Sequence, residues 1–229
     1  MTTEITWLGH GSFQVQTAGQ SLLVDPFLAD SPTAPQKAET VAADTILLTH
    51  GHFDHVTDAL QIAQRTEATI IANFEICNWL QGQGLPEGQL ETMNVGGQIE
   101  QPFGLVKMTV AHHSSSLPDG TYGGLASGYL LGLQGGHVYF AGDTSLFLDM
   151  KLIGLVGLEL AVLPIGDRFT MGPDDALEAV KLLGPKRVLP CHYNTWPVIE
   201  QDPHAWAAKV KGESDSVPHV LEPGQSLEL

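Results

Sequence analysis

Residues 49–55 read Thr-His-Gly-His-Phe-Asp-His and follow directly on the apolar run Ile46-Leu47-Leu48. In an extended segment alternate side chains point the same way, so His50 and His52 face one point in space. Asp54 and His55 fall where the chain turns toward a helix expected to begin near Val56, and so can serve a second point close by. Packing three imidazoles and a carboxylate without compensation has no folding benefit, whereas divalent ions would supply that compensation. Two adjacent metal ions are the natural reading. One segment cannot complete such a centre, because each ion takes three or four protein ligands and leaves room for water. His112 or His113, Asp143 and His192 are the further candidates. Asp143 matters most, since its two oxygens can bridge ions roughly 3.5–4 Å apart. No Cys stands at these positions, which favours zinc, manganese, iron or nickel over thiolate-selected ions; zinc is the first expectation.

The elements that must carry these residues share a pattern. ITWLG runs into His10, SLLV into Asp25, TILLT into His50, VKMTVA into His112-His113, HVYFAG into Asp143 and RVLPC into His192. In α/β folds buried strands are near-continuous apolar runs, and ligands gather beyond their carboxyl ends. The six runs therefore describe one polar floor at one edge of a sheet. GSFQVQT and SLLVDP flank Ala18-Gly19 as a hairpin that sets Thr17 opposite Gln20 and Ser12 opposite Asp25, with His10 and Asp25 at the same end. Helices are expected over 56–65 (capped by Thr57 or Asp58, with Ala59, Leu60 and Ala63 inward), 172–184 (Pro173 to Gly184) and 202–212 (Asp202 to Gly212). The apolar tract 146–166 reads as buried helix plus strand, VLEPGQSLEL as a hairpin or edge strand, and the Pro- and Ala-rich segment 29–44 as a candidate lid.

Composition narrows the partners. The chain has 229 residues, 43% apolar, enough for a substantial core, and its formal charge of −16 repels phosphate backbones and anionic lipids. Nucleic acid is not expected. Charges at Asp149, Lys151 and Glu159 interrupt the longest apolar tract, so no membrane span is expected either. MTTEITWLGHGS has no basic n-region or sustained apolar core of a signal peptide, and Cys77 and Cys191 read as free thiols; both point to the cytoplasm.

THGHFDH, AHHSSS, AGDTS and PCHYN, in this order and at these separations, resemble the metallo-β-lactamase superfamily of hydrolases. WLGHGSF, SLLVDPF, LPIGDRFTMGP and HYNTWP narrow the resemblance to bacterial and archaeal metal-dependent hydrolases related to ascorbate-6-phosphate lactonase, over essentially the whole chain. The resemblance implies an α/β fold, a four-layer αβ/βα sandwich, with residues 1–229 as one metallo-hydrolase domain. It also implies one metal site of His50, His52 and His113, a second of Asp54, His55 and His192, and a bridging Asp143. His113 is preferred to His112 because the family pattern, Ala, any residue, His, Ser, matches Ala111-His112-His113-Ser114.

The expected function is hydrolysis of a small-molecule lactone, ester or phosphodiester by water activated at a binuclear centre. Asp54 would orient that water; His10 is the candidate to orient the site or donate a proton, with Asp25 supporting the ligands. Arg168 and Tyr193 are the candidates for holding substrate. A nuclease of the same superfamily and a non-catalytic metal-binding or sensor protein are the competing readings, and a homo-oligomer could use the 146–166 region.

Overall fold

The computed structural model describes residues 2–229 and contains two seven-stranded sheets. The first takes β1 (Glu4–Trp7), β2 (Phe13–Thr17), β3 (Gln20–Val24), β4 (Thr45–Leu47), β5 (Thr69–Asn73) and β6 (Leu90–Met93) in sequence order. The second takes β7 (Gln98–Gln101), β8 (Gly104–Val110), β9 (Ser127–Leu133), β10 (Gly136–Phe140), β11 (Leu158–Pro164), β12 (Arg187–Cys191) and β13 (Val217–Pro218), again as neighbours in order. β14 (Ser226–Glu228) returns to pair with β1, so the C-terminal segment is an edge strand of the first sheet.

Apolar residues sort by sheet face with the two-residue strand period. Leu22 and Val24 of β3, Leu47 of β4 and Ile71 of β5 join the core with Tyr129 and Phe140 of the second sheet. Leu23, Ile46 and Ile70 face the other way, into a separate core with Ile62, Ile76 and Leu80. Those last three lie on α2 (Ala59–Thr66) and α3 (Phe74–Gly82), which follow a single helical turn, α1 (Phe53–Val56). The second sheet is covered by α4 (Met150–Gly154), α5 (Pro173–Leu183) and α6 (Pro203–Glu213). The layers thus run helix, sheet, sheet, helix, as expected. Tyr129 crosses between the sheets: its hydroxyl lies 2.9 Å from the Leu48 carbonyl and 3.0 Å from that of Ile71. That link ties β9 to the chain just before the histidine-rich segment.

Several expectations need correction. The helix placed at 56–65 is interrupted after Val56 because Asp58 turns its carboxylate to the backbone N–H groups of Leu28 and Ala29, at 2.6 and 3.0 Å, instead of capping α2. Ala59 and Ala63 are buried as expected, but Ile62, not Leu60, completes their stripe. The 146–166 tract buries β11, but its helix is only five residues long and leaves Leu148, Leu152 and Leu155 exposed. Gly212 lies within α6 and does not end it, whereas Gly184, at φ 57°, does close α5. α3, capped by the Asn73 side chain on Ile76 N–H, had no counterpart in the sequence reading. The second half of segment 29–44 is anchored, with Ala38, Val41 and Ala43 buried in the helix-side core and the Arg65 guanidinium donating to the carbonyls of Ala38 and Val41, and no residue of the segment lines the pocket described below.

Candidate metal centre

The expected polar floor exists, and the backbone is bent to make it. The hairpin has the expected register, with Thr17 opposite Gln20, and Ser12 Oγ donates to the Asp25 carbonyl at 2.6 Å. His10, Asp25 and His192 each leave their strand in the left-handed region, at φ 51°, 47° and 55°. For residues with a β-carbon this conformation costs about 1–3 kcal/mol and persists only where surroundings enforce it. Here the enforcement is mutual: His192 N–H donates to the His10 carbonyl at 3.0 Å, and the Trp7 indole donates to the same oxygen at 3.0 Å. Gly166 passes so close that a β-carbon there would sit 2.2 Å from the His192 carbonyl oxygen. Across the sheets, Ser127 N–H and Oγ both donate to the Thr49 carbonyl, at 3.0 and 2.8 Å, pinning the ligand segment to β9.

Two groups of ligand atoms converge. In the first, His52 Nδ1 lies 3.0 Å from His50 Nε2 and 3.3 Å from His113 Nε2. In the second, Asp54 Oδ2 lies 3.9 Å from His55 Nε2 and 3.7 Å from His192 Nε2. Asp143 stands between them. Its Oδ1 is 3.5 Å from His55 Nε2, and its Oδ2 is 3.1 Å from His192, 3.6 Å from His113 and 4.0 Å from His50.

The surrounding hydrogen bonds fix which nitrogens face inward. Asp25 accepts at Oδ2 from His55 Nδ1 (2.8 Å) and from Thr49 Oγ1 (2.6 Å), and at Oδ1 from Thr49 N–H (2.8 Å). With its proton committed to Asp25, Thr49 Oγ1 is the acceptor for His50 Nδ1–H at 3.0 Å. The Nε2 atoms of His50 and His55 are therefore the ones turned to the centre. Burial, reinforced by neighbouring imidazoles, holds His50 well below the usual histidine range, and burial lowers His52 and His113 too. Burial also opposes charge at His55, His192, Asp54 and Asp143, but their opposite charges overcome it. Asp143 raises His55 and brings His192 to about 9, while His55 and His192 help keep both carboxylates ionised.

The residues fit divalent cations. Although buried, His55 Nε2 and His192 Nε2 have no hydrogen-bond partner, an orphaning that buried polar atoms rarely show without an ion or water. His50 Nε2 and His113 Nε2 approach His52 Nδ1 to 3.0 and 3.3 Å, a group of imidazole nitrogens close enough to share one ion. The donor set, five imidazoles and two carboxylates, suits borderline ions such as zinc.

Other candidates fall elsewhere. His112 turns away and stacks on Phe147, with centroids 4.7 Å apart, leaving His113 as the one that faces the centre. Tyr193 is buried against Trp7 at 5.3 Å and does not line the pocket. Arg168 is exposed and lies over the ring of Phe169 at 5.6 Å, outside the pocket lining. His10 is fully buried, with Nε2 3.0 Å from Asp54 Oδ2 and Nδ1 2.7 Å from Thr195 Oγ1; burial and His192 bring its pKa down to about 4. Nε2 of His10 is thus directed at the Asp54 carboxylate, and His10 is not among the residues that line the pocket.

Above the centre opens a pocket of about 470 Å³, with His52, Asp54, His113, Asp143 and His192 at its floor and Phe53, Phe169 and Trp196 on its walls. None of Trp196, Phe53 and Phe169 was singled out from the sequence. The signal at Phe53 was its place between two ligands, His52 and Asp54, at the first position of α1. Thr49, Thr195 and Ser114 were also missed; Ser114 Oγ lies 3.3 Å from His52 Nε2.

The fold has counterparts among known proteins. The chain belongs to the beta-lactamase superfamily, whose domain matches residues 20–193. A metal-dependent hydrolase of Bacillus pumilus is 47% identical over 230 residues, covering 98% of this chain and 99% of that one. A Thermus thermophilus relative of the same name is 44% identical over 226 residues, with 99% of each chain covered. Among solved structures, Igni18, described as a novel metallo hydrolase from Ignicoccus hospitalis, superposes with a TM-score of 0.90 at 35% identity, covering 100% of this chain and 99% of that one. The particular family is that of the UPF0173 metal-dependent hydrolases.

Proposed function

We propose that this chain hydrolyses a small molecule at a binuclear metal centre. His50, His52 and His113 would hold one ion, Asp54, His55 and His192 the other, and Asp143 both. The observation that carries the reading is the position of Asp143, whose two oxygens reach both ligand groups at the floor of an open pocket. When bound, such ions bring the pKa of water toward neutrality and polarise a carbonyl or phosphoryl oxygen. Zinc fits the donor set first.

The chain's own contribution is orientation. Asp54, kept ionised and held at Oδ2 by His10 Nε2–H, is placed to orient the attacking water. His10 is fixed from behind by Thr195, so it is a positioning residue. Asp25 and Thr49 aim His55 and His50, and Ser114 steadies His52 from its outer nitrogen. The nuclease reading loses ground because no Lys or Arg lines the pocket. A sensor would also use the pocket, so turnover is what separates the hydrolytic from the non-catalytic reading.

The test is a panel of lactones, esters and phosphodiesters assayed with zinc-, manganese- and iron-loaded protein. Turnover of at least one class, abolished by chelation and lowered a hundredfold or more by Asp54→Ala in folded protein, is the expected result. No turnover across the panel with fully loaded protein would count against it.

A further inference from the structure

Hydrolytic sites that accept phosphorylated or carboxylated substrates place Arg or Lys where the distal anion will lie, since burying an unpaired charge is costly. This pocket has no such group: beyond the metal-ligand cluster its lining is Phe53, Phe169, Trp196 and the Ser114 hydroxyl. Arg168, the cation the sequence offered for substrate, lies on the Phe169 ring outside the lining. The walls are organised aromatic surface. Phe53 and Trp196 stand 6.1 Å apart at 40°, and both pack on Phe27, which is fully buried and meets Phe53 edge-on at 88°. Phe53 is 54% exposed and Phe169 51%, so two half-uncovered rings border a site of ligand size.

We propose that the pocket selects an uncharged substrate whose ester or lactone carbonyl carries an aromatic or comparably flat apolar group, gripped by Phe53, Trp196 and Phe169. The proposal rests on the hydrolytic reading and names its substrate class. In the reaction, the oxygen of one water bonds to the carbonyl carbon and the carbon–oxygen bond to the leaving group breaks. The displaced oxygen takes a proton, giving an acid and an alcohol, or a hydroxy acid from a lactone. A ring laid against the exposed surfaces of Phe53 and Trp196 gains aromatic and hydrophobic contact. A carboxylate or phosphate placed there would lose hydration and find no partner.

Two matched pairs of compounds test this on metal-loaded protein. 4-Phenyl-2-butanone and levulinate share a ketone and a two-carbon spacer, and end in phenyl or carboxylate; neither can be hydrolysed. Ethyl 3-phenylpropanoate and monoethyl succinate form the equivalent ester pair. The phenyl ketone should bind at least about tenfold tighter than levulinate, followed by calorimetry or by Trp fluorescence. Phe53→Ala and Trp196→Ala should each weaken the phenyl ketone by about tenfold, a difference of about 1.4 kcal/mol, and leave levulinate unchanged. Phe74→Ala, on an exposed ring outside the lining, serves as the control and should change neither. Levulinate binding as tightly as the phenyl ketone, or wall variants without effect, would overturn the proposal. The ester pair separates the two claims. Selective binding of the phenyl ketone with neither ester hydrolysed leaves the pocket assignment standing and counts against hydrolysis of carboxylic esters; hydrolysis without phenyl preference does the reverse.

Discussion

His10 Nε2 lies 3.0 Å from Asp54 Oδ2 while the opposite nitrogen of the same ring lies 2.7 Å from Thr195 Oγ1. A buried imidazole is thereby spent on aiming one carboxylate. Removing such an outer hydrogen bond typically costs 10–100-fold in activity or metal affinity. His10→Ala should lower kcat by roughly that factor with little change in KM, and His10→Gln, which keeps an N–H donor near the Nε2 position, should recover part of it. Steady-state kinetics on any hydrolysed substrate checks this; a rise in KM at constant kcat would assign His10 to substrate binding.

Asp25 is the corresponding anchor for the other face of the site, accepting from His55 and Thr49 together. Asp25→Asn removes the charge that holds His55 Nδ1–H. Affinity for one ion should weaken about 10–100-fold, with stoichiometry restored at saturating metal. Competition against a chromophoric chelator measures it.

The pH dependence of metal binding follows from His192. Its pKa in the metal-free fold is raised from 6.5 to about 9. A raised pKa stabilises the protein fully below about pH 6.5, and that contribution is lost as pH climbs through about 9. Over the same interval protons compete less with the metal. The difference in Tm between zinc-loaded and chelator-treated protein should therefore widen from pH 6.5 to 9; a narrowing gap would contradict the assignment of His192 as a ligand.

Gly166 is held to glycine by contact with the site. Gly166→Ala would drive a β-carbon to 2.2 Å from the His192 carbonyl oxygen. Overpacking of this kind costs about 1–3 kcal/mol, and here the strain falls on a ligand. Urea unfolding should show that loss, and the folded variant should retain less metal than the parent.

The strand ends were legible because two signals coincide at them, an apolar run and a coordinating residue after it; His50, Asp143 and His192 all follow this form. The ligand geometry adds what spacing does not hold: which imidazole nitrogen faces inward depends on Thr49 and Asp25, one of them far away in sequence. The walls were harder to read, since Phe169 and Trp196 approach the centre from separate loops and each alone looks like ordinary packing. Segment 29–44 lacks period for a physical reason: its buried residues are pinned one by one, through Arg65 and the helix-side core. α3 escaped notice because its cap, Asn73, is also the last residue of β5, leaving no turn between them to announce a helix.

The central claim is a two-ion centre shared through Asp143, and metal stoichiometry tests it most directly. Elemental analysis of protein purified without added metal, then equilibrated with zinc and freed of excess, should give two ions per chain. The double variant His52→Ala with His113→Ala should hold one. A single ion in the parent protein, or two retained in the double variant, would contradict the division of ligands described above.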